Sequence, residues 1–270
     1  MNKILATMVV ACLGLAFAPK EQRQLEKAAR QNPDSASAHL ALGRYCLQND
    51  QYDCALDHYR AAVQLAPADP VSRGEYGNLL YFACRYSDAL IQYRMALALN
   101  PDNPALHLEL GNLYGFLGRD AEAEAEYHWL ARKQPEDPEP WIMLAGLFSA
   151  GQRWDQAGQA YRQAIARKPL DPSLWIRLGR NCAMAGRKIE AEQAYRAALS
   201  LRSENAEAWM ALGQLHLQTR DWKEAVADFT AALVADPQAA EAKQGLASAL
   251  QMLKGKDRNE LSGSSGGAGQ

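Results

Sequence analysis

Five cysteines and five histidines are the side chains of this 270-residue chain best suited to chemistry. A thiolate is a nucleophile and a soft metal ligand, and an imidazole gains or loses a proton near neutral pH. Their spacing argues against both uses. No Cys-x-x-Cys pair, His-Glu-x-x-His helix or glycine-rich phosphate loop occurs. Cys46 and Cys182 stand where comparable stretches carry Tyr114, Phe148 or His216, which marks them as small buried hydrophobes. Cys54 opens a helix on a solvent-facing position, Cys84 falls in a turn, and Cys12 lies in an apolar leader. Cys46 and Cys54 are eight residues apart, so in an oxidising compartment they can pair across a helix-hairpin turn. Helical register sets them off direct opposition, and a bridge needs Cα atoms within ~7 Å, so the pairing stays open. His39 and His107 share the position of Trp141, Trp175 and Trp209, while His58, His128 and His216 are dispersed over other helices. Packing or surface is the reading for all five, with no metal and no cofactor expected. Glu122, Glu124 and Glu126 alternate along one helix and point in different directions, as surface charges do. With no catalytic constellation, the chain reads as a non-enzyme.

The elements that carry these residues recur with a fixed period. Gly43, Gly77, Gly111, Ala145, Gly179 and Gly213 are spaced 34 residues apart without insertion. Around Gly213, Trp209, Leu212 and His216 fall on one helical face, and Val226, Phe229, Ala232 and Leu233 on another. Small residues at Gly213 and Ala225 permit a close helix crossing. Pro67, Pro101, Pro135, Pro169 and Pro237 close the second helices, with Ser203 in the equivalent place. The pattern W-x2-L-G…A-x3-F-x2-A-x4-P at this period resembles the tetratricopeptide repeat, TPR, over residues 36–239. The resemblance implies an all-α, right-handed superhelical solenoid of helix-turn-helix repeats. The repeats are 36–69, 70–103, 104–137, 138–171, 172–205 and 206–239. Residues 19–35 read as an N-terminal capping helix, 240–256 as a C-terminal capping helix with a polar face, and 257–270 as a disordered tail.

The resemblance also implies where function resides. In TPR proteins the first helices line a concave, peptide-binding groove. Carried over position by position, its wall comprises Leu40, Arg44, Asn78, Tyr81, Phe82, Leu108, Asn112, Phe116, Ile142, Ile176, Arg180, Met184, Met210 and Gln214. Asn78 and Asn112 would form a short ladder, each offering a donor and an acceptor to an extended backbone. Tyr81, Phe82, Leu108, Phe116 and Ile142 would surround them as an apolar patch. The two-carboxylate clamp of chaperone-binding TPR domains needs Lys and Asn where this chain has Leu40 and Arg44, so that clamp is absent.

Residues 1–18 read as a secretory leader, with Lys3 ahead of the uncharged run Ile4–Ala18, too short to span a bilayer comfortably. Ala16-Phe17-Ala18 has the form of an ordinary cleavage site. Val9-Val10-Ala11-Cys12 resembles a bacterial lipobox, which would make Cys12 a lipidated anchor. A net charge of −2 gives no pull toward nucleic acid. The expected function is a non-catalytic scaffold that binds a protein or peptide segment in the groove. Its expected setting is periplasmic, or membrane-anchored facing the periplasm. There TPR proteins serve the assembly of pili, secretion machines, polysaccharide exporters or c-type cytochromes. The alternative is a structural homo-oligomer built by solenoid-on-solenoid packing.

Overall fold

A computed structural model describes residues 19–264; residues 1–18, where a leader and a lipidated Cys12 are expected, and residues 265–270 lie outside the described residues. Among the described residues there are fourteen helices and no strand. They are α1 (Pro19–Gln31), α2 (Ala36–Gln48), α3 (Tyr52–Leu65), α4 (Pro70–Phe82), α5 (Tyr86–Leu99), α6 (Pro104–Phe116) and α7 (Asp120–Lys133). There follow α8 (Glu139–Ala150), α9 (Trp154–Arg167), α10 (Pro172–Met184), α11 (Lys188–Leu201), α12 (Ala206–Thr219), α13 (Trp222–Ala235) and α14 (Ala240–Ser264). The chain divides after Leu130 into two compact units. In each unit, helices pack against their neighbours in sequence: α2 on α3 and α4 on α5 in the first, α8 on α9, α10 on α11 and α12 on α13 in the second.

Local chemistry sets the ends of these helices. Asp69 accepts from the backbone N–H groups of Val71 (3.1 Å) and Ser72 (3.0 Å), Asn103 caps α6 in the same way, and Asp171 and Asn205 cap α10 and α12. Pro70, Pro104 and Pro172 occupy first-turn positions, where a missing N–H costs nothing. Each first helix then ends on a residue in the left-handed region: Asp50, Cys84, Gly118, Gln152, Gly186 and Arg220. The next residue's N–H bonds back over the turn, as in Arg85 to the Leu80 carbonyl and Arg187 to the Cys182 carbonyl, both 2.8 Å. This six-to-one closure reverses the chain into the second helix.

In five of the six pairs a first-helix glycine faces a ring, at Gly43, Gly77, Gly111, Gly179 and Gly213, and in α8 Ala145 takes that place. A Cβ on Gly77 would lie 2.7 Å from the Tyr93 ring, and one on Gly179 would lie 2.5 Å from Tyr195. The small first-helix residue is therefore required by the aromatic sixteen positions later, and not by the alanine opposite, such as Ala191, that the sequence pattern suggests. Those alanines (Ala55, Ala89, Ala123, Ala157, Ala191, Ala225) are fully buried at the crossings between helices. The last helix, α14, runs from Ala240 to Ser264. Lys, Arg, Glu and Leu in KGKDRNEL are adequate helix formers, and no proline stops the helix before the Ser/Gly run.

Candidate functional site

In the first unit, α4 and α6 present an aromatic face. Tyr81 meets Phe82, Tyr86 and Phe116 edge-on, with ring centroids 6.0, 5.5 and 6.3 Å apart, and Tyr86 lies 4.7 Å from Phe116. Phe82 is 46% exposed and Phe116 59%. Of the residues expected there, Tyr81, Phe82 and Phe116 are brought together, and Leu108 is half-buried on α6. Tyr86, from the start of α5, was not expected; its place just after a turn, next to an aromatic pair, was the available signal.

Asn78 and Asn112 differ from the expectation. The hydroxyl of Tyr93 donates to Asn78 Oδ1 (2.7 Å), and that of Tyr127 donates to Asn112 Oδ1 (2.9 Å). Burial, and the nearby Glu109 charge, push both tyrosine hydroxyls well above their usual pKa, so they remain protonated donors. The two amides thus offer a partner their Nδ2 donors, while their oxygens serve the fold.

Arg44, the first expected wall residue, is committed too. Its Nε donates to Glu75 Oε2 (2.7 Å) and its Nη2 to Glu75 Oε1. The hydroxyl of Tyr59 donates to the same carboxylate at 3.2 Å. The hydrogen bond to Glu75 holds the Arg44 pKa up.

The second unit carries its own stretch of first-helix surface. Arg180 donates from Nη2 to Glu207 (2.8 Å), and with Met184, Met210 and Gln214 it lines a cavity of about 300 Å³. Met184 is 68% exposed, and Ile142 is half-buried on α8. Ile176 is a correction: it is 1% exposed and sits in the core of its unit, so it presents no surface to a ligand. The carried-over position faces outward only where the next helix leaves it uncovered.

Two polar clusters also form. In the first unit a cavity of about 290 Å³ is lined by Glu26, Arg30, His39, Cys46, Cys54 and His58. Cys46 and Cys54 form a disulfide, with Cα atoms 5.9 Å apart. His39 Nδ1 lies 2.9 Å from His58 Nδ1, so these two histidines meet although sequence spacing places them on different helices. The four-residue spacing of Cys54 and His58 on α3 was the legible sign of a shared face. In the second unit, buried His216 has Nδ1 2.5 Å from Asp228 and Nε2 3.6 Å from Glu192. Carboxylates flank the ring on both sides and leave no ring nitrogen aimed at a nucleophile. Among the described residues, no group of three or more His, Cys, Asp or Glu is placed to hold a metal ion. No described helix is long and apolar enough to cross a membrane.

The helix pairs, their 34-residue period and the glycine-on-ring crossings define a repeat that comparison identifies. A tetratricopeptide repeat family model matches residues 22–70, 108–172, 142–203 and 185–240, and a second TPR repeat model matches 77–118. The chain belongs to the TPR family. Solved TPR structures share the fold. The C-terminal part of a TPR repeat-containing protein from Cytophaga hutchinsonii is 16% identical, with a TM-score of 0.73 over 84% of this chain and 93% of that one. PilF from Pseudomonas aeruginosa is 17% identical, with a TM-score of 0.56 over 81% of this chain and 99% of that one. YrrB, described as a TPR protein with an unusual peptide-binding site, is 17% identical, with a TM-score of 0.58 over 69% and 96%. No curated protein matches the chain by sequence. The expected all-α TPR fold is thereby shown, and with it the kind of scaffold used for protein–protein interaction.

Proposed function

We propose that this TPR protein is a non-catalytic scaffold that captures an extended or helical protein segment on the first-helix face of its first unit. One observation carries the reading: Phe82 and Phe116 stand in water while locked ring-to-ring with Tyr81 and Tyr86. A pre-ordered aromatic platform loses little entropy when covered, and such clusters anchor binding. The shared fold with a TPR protein that has a peptide-binding site supports the same use here.

The same reading places the protein outside the cytosol, periplasmic or held at a membrane through Cys12, in assembly of an envelope complex. The Cys46–Cys54 disulfide supports this, because disulfides persist in oxidising compartments. Intact mass of the protein from its own host should show loss of the leader. A mature chain starting at Met1 would overturn export, and unchanged membrane fractionation of Cys12→Ser would overturn the lipid anchor.

Phe116→Ala should weaken capture of the partner at least about tenfold, ~1.4 kcal/mol, with circular dichroism unchanged. Arg94→Gln, an exposed position on α5, is the control and should leave capture as it is. The reverse result would move the binding face. Self-association in sedimentation, abolished by Phe116→Ala, would instead make a second copy the occupant.

A further inference from the structure

The first unit repeats one carboxylate and supplies a cation for it only once. Glu75 on α4 and Glu109 on α6 hold the same place in successive repeats. At Glu75, Arg44 from the preceding first helix closes a two-pronged pair onto both carboxylate oxygens, and the Tyr59 hydroxyl joins it. One repeat later the residue in the place of Arg44 is Asn78, which is too short to repeat that pair. The Tyr93 hydroxyl, counterpart of Tyr59, turns to Asn78 instead. Among the described residues no hydrogen bond or ion pair ends on Glu109, and burial alone acts on its carboxyl, raising its pKa. A carboxylate withdrawn from water without a cation is costly, and a cation that reaches it recovers that cost. Glu109 is also part of the aromatic face: it lies one and two turns from Asn112 and Phe116 along α6, and its charge is felt at Tyr81.

We infer that the segment captured on the first unit carries an arginine, whose guanidinium pairs with Glu109 as Arg44 pairs with Glu75, while its apolar neighbours cover Phe82 and Phe116. The inference rests on the proposed capture site and adds the chemistry of its occupant. A planar guanidinium fits best because it can engage both carboxylate oxygens while its stem and face lie on the adjacent rings. A lysine ammonium supplies charge without the fork and should bind less tightly.

A displayed library of random dodecapeptides, selected on the full chain, tests this directly. Peptides selected on the wild type should be enriched in arginine flanked by aromatic or aliphatic residues. Selection on Glu109→Gln should lose the arginine and keep the apolar residues. Replacing arginine by neutral citrulline in the best peptide should weaken binding to the wild type about tenfold or more and to Glu109→Gln less than about twofold. Asn78→Arg should rebuild the first repeat's pair within the chain and remove the arginine preference in the same way. Glu109→Gln keeps shape and removes an unpaired charge, so its helicity and thermal midpoint should not fall. Selected peptides without arginine, or an equal citrulline loss on both proteins, would overturn the inference and leave the aromatic capture site standing. No peptide selected at all, or binding untouched by Phe116→Ala, would bring down the capture site with it.

Discussion

At the scale of single residues, one position explains what its chemistry is for. The fourth residue of each repeat is His39, Arg73, His107, Trp141, Trp175 or Trp209, a set that shares neither charge nor size. The structure shows the property most of them share. His39 Nε2 is 3.1 Å from the Pro33 carbonyl, Arg73 Nε is 2.7 Å from that of Pro67, and His107 Nε2 is 2.9 Å from that of Pro101. Trp175 and Trp209 donate from Nε1 to the carbonyls of Pro169 and Ser203. Each is a flat group with an N–H that holds the carbonyl left open where the previous repeat ends. In His39 this use fixes the tautomer: Nε2 carries the proton, Nδ1 accepts, and His58 donates to it from its own Nδ1. Burial, and then the facing His39, lower the His58 pKa, against the opposing charges of Asp57 on its own helix and Glu26 on α1. The folded protein then binds fewer protons than the unfolded chain below about pH 6.5, so this contribution is complete above that pH and lost as pH falls through the lowered value. The thermal midpoint should therefore drop further between pH 7.5 and pH 5 in the wild type than in His58→Gln. Glu109 and Asp228, whose raised values act in the opposite sense, are present in both proteins and cancel. Equal drops would mean that the pair does not sense pH.

At the scale of the helix pair, the turn is fixed by backbone conformation. Asp50, Cys84, Gln152 and Arg220 have φ of 58°, 58°, 57° and 66°, and the equivalent Gly118 and Gly186 have 70° and 77°. An L side chain in that region costs ~1–2 kcal/mol, which glycine avoids. Cys84→Gly should raise stability, and Gly186→Ala should lower it by about 1 kcal/mol in denaturant titration. A Cβ on Gly186 would meet nothing within 4 Å, so the backbone alone decides the result. If Gly186→Ala were neutral, the left-handed turn would not be what ends α10. This turn also shows what was legible. Period, helix faces and closing prolines were readable because they depend on residue type at fixed spacing. The left-handed position was not, since Asp, Cys, Gln, Arg and Gly share no side-chain property. For the same reason the aromatic face was half legible: Phe82 and Phe116 follow from helical register, whereas Tyr86 and the Tyr93–Asn78 bond depend on how one helix lies on the next.

At the scale of the whole molecule, nearest-neighbour packing decides how far any perturbation reaches. Within the first unit each helix packs chiefly on the one before and the one after it, so stability is close to a sum of repeat and interface contributions. The Cys46–Cys54 disulfide ties α2 to α3 inside the first repeat and spans eight residues. Closing a loop that short removes denatured-state entropy worth about 2–3 kcal/mol. That contribution belongs to the first repeat and passes onward through the packing of α3 on α4 and the Arg44–Glu75 pair between α2 and α4. Replacing both cysteines by serine should therefore speed amide hydrogen exchange in α1, α2 and α3. In α5 and α6, which lie beyond that packing, exchange should stay nearly unchanged. Buried Cys46 adds a second effect of the same sign, since a hydroxyl replaces sulfur in the core; reducing the native protein with dithiothreitol separates the two. Uniform acceleration from α1 to α6 would show that the first unit opens as one block. The aromatic face on α4 and α6 would then depend on a disulfide two helices away, and capture of a partner there would weaken on reduction.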